Sequence, residues 1–174
     1  MKKSLFTLII LLCFLSTNTI LAREDLEKTT ITKIGQNAPD FMVITTDGKT
    51  IKMSELKGKV VMINFFADWC PPCKTEMPFL QKDIYNVFKD KNFYLISIAR
   101  ENTMDQVKKF RKEYNLSFAM APDEDRSVYS LFAESYIPRN IIIDKKGKII
   151  FQEIGFSEEK LKEMAEIISE ELKK

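Results

Sequence analysis

Three features of the 174-residue chain predict an α/β fold built on a central mixed sheet flanked by helices on both faces. Two apolar runs rich in β-formers, Lys59–Phe66 and Phe93–Ala99, read as strands buried on both faces. Each is followed by a helical pattern. Two further strand segments separated by a turn then lead into a last helix. A β-α-β-α half followed by a β-β-α half is the signature of a layered α/β domain.

In chain order, residues 23–33 (REDLEKTTITK) are polar and aperiodic and read as a flexible leader to a domain spanning 34–174. Extended segments at Phe41–Thr45 and Thr50–Met53 flank Asp47-Gly48, a hairpin signal. Ser54-Glu55-Leu56 reads as a helical turn before Gly58. After the first buried strand, a helix is predicted from about Cys73 to Lys89, with Met77, Leu80, Ile84, Val87 and Phe88 at helical spacing. The second buried strand precedes a helix over Met104–Tyr114 and a shorter one over Arg126–Phe132. Strands at Asn140–Asp144 and Lys148–Ile154 flank a Lys-Lys-Gly turn. A final helix runs to about Leu172 with Ser157 as N-cap.

Composition narrows the function. The chain is 45% apolar and 30% charged, which suits one domain with a full core. A net charge of +2, with no basic run interleaved with aromatics, argues against nucleic acid as a partner. At the N-terminus, Lys2 and Lys3 precede an apolar run from Leu5 to Leu15 and a polar stretch ending in Ile20-Leu21-Ala22. That order is expected of a secretory signal, residues 1–22, cleaved after Ala22. An uncleaved membrane anchor is the alternative. Leu12, not a small residue, precedes Cys13, which argues against a lipid-modified cysteine. The expectation is therefore an exported protein, periplasmic or extracytoplasmic.

Cys70 and Cys73, in FADWCPPCKTEMP, are then the two cysteines left, in a compartment where a disulfide can persist. A bridge between them closes so short a loop that it adds little stability. A zinc site needs four ligands, and the chain has no histidine, so no metal is expected. The motif lies between a buried strand and the first turn of a helix, where unpaired N–H groups and the helix dipole favour a thiolate. Cys70 at the rim is the expected nucleophile. Cys73, one turn in, is the expected resolving thiol. Pro71 and Pro72 have no N–H, leaving the amides of Cys73 and Lys74 as donors to Cys70.

With this motif the chain resembles the thioredoxin superfamily, whose active site is W-C-x-x-C in the same strand-to-helix position. The resemblance covers about residues 34–171. Pro78 stands where thioredoxins carry a helix-kinking proline, and Ile137-Pro138 matches the apolar residue and cis-proline that lie against the disulfide. Within the superfamily the chain is most similar to the TlpA/ResA-like exported thiol–disulfide oxidoreductases, through IGQNAPDF…SELKGKVVMINFFADWCPPC, an insert at about Thr103–Phe132, and Glu76 three residues past the second cysteine. That resemblance implies a redox-active Cys70–Cys73 disulfide and a proton-handling Glu76. It implies a substrate-binding face of Trp69, Pro71, Pro72, Ile137 and Pro138, and no cofactor. It implies a disulfide-bearing substrate protein such as an apocytochrome c, and a membrane thiol carrier as electron donor. The acid that thioredoxin buries in the preceding strand is replaced by Asn64. Arg139-Asn140, where many relatives have small hydroxyl residues, is expected to alter the partner-facing surface. A peroxiredoxin-like peroxidase is disfavoured, because Ala67 stands where that family has a threonine. A non-catalytic binding or chaperone module is the remaining alternative.

Overall fold

In the computed structural model, which describes residues 26–174, five strands form one mixed sheet in the order β5-β4-β3-β6-β7. The expected signal segment, Cys13 and the first residues of the leader lie outside the described residues. A separate hairpin, β1 (Met42–Ile44) and β2 (Thr50–Lys52), turns at Asp47-Gly48 as predicted. Gly48 supplies the positive φ, 80°, that this turn demands. Strand β3 (Val60–Phe66) is the middle of the sheet and is buried along its whole length. It pairs in parallel with β4 (Phe93–Arg100) and antiparallel with β6 (Arg139–Ile143). The outer strands are β5 (Ala119–Asp123), parallel to β4, and β7 (Ile149–Ile154), antiparallel to β6.

Alternation along β3 sorts the core into two. Val60, Met62 and Phe66 pack under three helices: α1, which begins as Pro71–Phe79; α2, Met104–Glu113; and α3, Glu158–Lys173. Val61, Ile63 and Phe65 face the other way, against Phe41 and Val43 of the hairpin region and Tyr129 and Phe132. The expectation of helices on both faces therefore needs correcting. The second face is covered by the hairpin and two 3-10 turns, Met53–Leu56, where a helical turn is expected, and Tyr129–Leu131, where a helix over Arg126–Phe132 is expected. The Asp123 carboxylate takes the N–H groups of Val128 at 3.0 Å and Tyr129 at 2.7 Å, and Arg126 adopts a positive φ of 63°. Local side-chain bonding of this kind competes with helix.

The insert contains one strand the sequence pattern conceals. In β5, Ala-Met-Ala-Pro-Asp, Pro122 reads as a strand breaker, yet the strand is at the sheet edge, where a missing N–H is tolerated. Helix α1 also departs from simple helix. After Pro78, which cannot donate to the preceding turn, the chain widens to π geometry over Leu80–Tyr85 and closes again at Asn86–Phe88. Ser157 caps α3 as predicted, accepting from the Lys160 N–H at 3.2 Å.

Residues 26–33, the described part of the segment expected to be a loose leader, are held down. Thr30 forms an antiparallel bridge with Ala133, and the Ile31 N–H donates to the Phe132 carbonyl at 2.9 Å. Thr32 is buried and bonded to the Gln152 side chain. Among the described residues, no helix is long and apolar enough to cross a membrane.

A candidate dithiol–disulfide site

β3 delivers the chain to Ala67-Asp68-Trp69-Cys70 at the carboxyl end of the sheet. There Asn102 fixes the turn, accepting from the Asp68 N–H at 2.9 Å and donating to its carboxylate at 2.7 Å. Cys70 is the N-cap of α1, with Pro71 and Pro72 in the first helical positions. Cys70 and Cys73 are joined in a disulfide, with Cα atoms 5.3 Å apart. The Cys73 N–H points at the Cys70 sulfur at 3.3 Å. The other expected donor is spent elsewhere, since the Lys74 N–H bonds the Cys70 carbonyl at 3.1 Å.

Cys70 is less open than predicted: it is 3% exposed, against 0% for Cys73. The rim is made by Trp69, about half exposed, and by exposed Pro71 and Pro72. Ile137-Pro138 is cis, as expected, and the Ile137 carbonyl oxygen lies 3.8 Å from the Cys70 sulfur. A disulfide sulfur has no proton to give, so this is a packing contact. It places the loop before β6 directly against the redox pair. Trp69 is backed by the Arg100 guanidinium, 5.5 Å from its ring.

Glu76 is three residues beyond Cys73 on the buried side of α1 and is fully buried. Its carboxylate accepts from the Asn140 amide at 2.5 Å and from the Asn64 amide at 2.9 Å. Asn64 donates in turn to the Asn140 side-chain oxygen at 2.9 Å and accepts from the Ser97 hydroxyl at 3.0 Å. Sheet register explains the cluster. Asn64 is the partner of Asn140 in β6 and of Ser97 in β4, so one row across three strands aims its polar groups at α1. Burial pushes the Glu76 carboxyl up to about 7, and the amides of Asn140 and Asn64, which favour the carboxylate, only partly oppose this. An acid with that affinity can exchange a proton near neutral pH.

The pair after the cis-proline does not alter the surface, contrary to expectation. Arg139 and Asn140 are both buried and point to opposite faces of β6. Asn140 reaches Glu76, and Arg139 reaches the loop and residues 29–30. Sequence reasoning missed both roles. The available signal was the polar interruption of apolar runs at Asn64 and Ser97, which marks where a buried polar row must find a partner.

A strand-to-helix CxxC disulfide, a cis-proline loop against it and a buried acid behind it define a thioredoxin-fold redox protein. The AhpC/TSA family model matches residues 34–152. The ResA thiol–disulfide oxidoreductase of Bacillus cereus is 37% identical over 123 residues, covering 71% of this chain and 70% of that protein. That of Bacillus subtilis is 34% identical over 116 residues, 67% and 64% of the two chains. Among solved structures, a candidate protein disulfide isomerase of Bacteroides thetaiotaomicron superposes with a TM-score of 0.81 at 38% identity, covering 84% of this chain and 94% of that one. The thioredoxin domain of a Bacteroides vulgatus thiol–disulfide oxidoreductase gives 0.67 at 28% identity, covering 78% and 97%. The chain belongs to the AhpC/TSA family of the thioredoxin superfamily and is a thiol–disulfide oxidoreductase of the ResA type. Three residues before Cys70 this chain has Ala67, which offers no hydroxyl.

Proposed function

We propose that the chain acts outside the cytoplasm as a reductase of protein disulfides, with Cys70 as nucleophile, Cys73 as resolving thiol and Glu76 as the group that handles the Cys73 proton. The observation that carries this reading is the asymmetry of the site: Cys70 is the cysteine with any exposure, while Cys73 shares its buried side of α1 with an acid of affinity about 7. In the reduced enzyme the Cys70 thiolate attacks one sulfur of the substrate disulfide. A mixed disulfide forms, and one substrate thiolate leaves and takes a proton. Cys73 gives its proton to the Glu76 carboxylate and attacks the Cys70 sulfur, expelling the second substrate thiolate. Two electrons pass to the substrate and the enzyme is left as the disulfide seen here.

Substrate is received on the rim of Trp69, Pro71, Pro72, Ile137 and Pro138. The disulfide-bearing partner, of which an apocytochrome c is one instance, docks there. A membrane thiol carrier then returns the pair to the dithiol. Export rests on the N-terminal pattern of charge and apolar run.

The test is reduction of insulin with dithiothreitol by wild type, Cys70→Ser and Cys73→Ser, together with the reduction potential of the pair. Turnover lost in Cys70→Ser, a trapped mixed disulfide in Cys73→Ser, and a potential toward the reducing end of the known range, about −270 mV, are the expected results. A potential near −120 mV would reverse the direction of electron flow. Wild type that turns over no faster than Cys70→Ser would leave a binding module.

A further inference from the structure

Arg139 is a buried cation whose hydrogen bonds all end on neutral oxygens. Its Nε–H donates to the carbonyls of Ser135 at 3.0 Å and Tyr136 at 3.1 Å. Its Nη2 donates to the Ser135 carbonyl at 2.8 Å and the Thr29 hydroxyl oxygen at 2.5 Å, and its Nη1 to the Thr30 hydroxyl oxygen at 2.8 Å. Among the described residues it forms no ion pair with a carboxylate. Desolvating a guanidinium is expensive, and a planar fork repays that cost only by fixing the geometry of the groups it grips.

What it grips is the approach to the redox pair. Ser135 and Tyr136 immediately precede Ile137, whose carbonyl packs on the Cys70 sulfur. Tyr136 sits in the left-handed region at φ 68°, a conformation rare for a residue with a side chain. Its carbonyl is held from two sides, by Arg139 and by the Tyr129 hydroxyl at 2.7 Å. Ile137 is half-buried, and its N–H has no hydrogen-bond partner among the described residues. The segment ahead of the domain joins the same unit. Beyond the two threonine hydroxyls, the Glu134 N–H donates to the Thr29 carbonyl at 2.9 Å, and residues 30–32 run along Phe132 and Ala133.

We propose that Arg139, together with Thr29 and Thr30, is the positioning unit for the Ile137 backbone that receives an extended segment of the substrate beside its disulfide. The segment at 29–32 is then part of the redox site's support. This assignment rests on the reductase reading above. It predicts an effect on substrate capture and none on thiol chemistry, because Arg139 touches the loop and neither cysteine.

The experiment measures KM and kcat for insulin with dithiothreitol as donor, in wild type, Arg139→Lys, Arg139→Met and the double variant Thr29→Val/Thr30→Val. The pH profile of Cys70 alkylation by iodoacetamide and near-UV circular dichroism are recorded on each protein. Expected are a KM raised roughly tenfold in both Arg139 variants, since lysine cannot reproduce the fork, and about threefold in the threonine double variant. The kcat and the alkylation profile stay as in wild type. An unchanged KM in a folded Arg139 variant overturns the proposal, as does a KM change that travels with a shifted alkylation profile. If Arg139→Met does not fold, the threonine double variant decides: an unaltered KM there overturns it. Absence of Cys70-dependent turnover in wild type overturns instead the reductase reading on which it rests.

Discussion

The Asn140 amide donates to the Glu76 carboxylate at 2.5 Å, joining β6 to the helix that carries the disulfide across 64 positions of sequence. Both groups are fully buried. The bond lowers the proton affinity of the acid, because an amide donor favours the charged carboxylate and so partly offsets burial, the larger effect. Replacing Asn140 with alanine removes that donor and leaves burial in place. The acid limb of the pH–rate profile for disulfide reduction should move to higher pH by roughly tenfold in proton concentration. A profile identical to wild type would show that Asn140 does not tune Glu76.

The same acid makes stability depend on pH. Its folded affinity, about 7, lies above the ordinary glutamate value of 4.5, so the folded oxidised protein holds a proton that the unfolded chain releases. Stability attributable to this group is greatest below 4.5, falls as pH rises through the window from 4.5 to about 7, and is level above it. The fall should amount to about 2–3 kcal/mol between pH 5 and pH 8. Glu76→Gln should flatten that slope. Urea denaturation of both proteins in oxidised form checks it, and equal slopes would count against a neutral Glu76.

Phe65 points to the face opposite the helices, edge-on to Tyr129 with centroids at 5.3 Å and tilted against Phe132 at 5.3 Å. Phe65→Ala should cost about 3–5 kcal/mol of stability, read from chemical denaturation. The potential of the Cys70–Cys73 pair should stay that of wild type, because the side chain lies across the sheet from α1.

Trp69 is the opposite case, half exposed at the rim and resting on Arg100. Trp69→Ala should change stability by less than about 1 kcal/mol while lowering kcat/KM for insulin roughly three- to tenfold. A variant as active as wild type would remove Trp69 from the docking face.

Much of the redox site was legible because its chemistry is local. Cys70, Pro71, Pro72, Cys73 and Glu76 lie within about two turns of helix, and the apolar run before them announces a buried strand. Where propensity and tertiary context disagree, the reading failed. Pro122 concealed β5 because the pattern does not say which strand is an edge. The Asp123 carboxylate turned a predicted helix into a single turn through hydrogen bonds formed only when that strand is in place. Arg139-Asn140 looked like surface because two adjacent polar residues in a strand reveal nothing about what covers each face.

By itself the sequence determined the elements that repeat a period and the chemistry carried at fixed spacing: β3, β4, α1, α2, α3 and the CPPC motif with its acid. Only the tertiary structure decided which polar groups meet. The register of three strands put Ser97, Asn64 and Asn140 in one row beneath Glu76, and Arg139 brought residues 29–30 to the loop that faces Cys70. The physical reason is that burial and hydrogen bonding set proton affinity and loop geometry, and both depend on neighbours from distant segments.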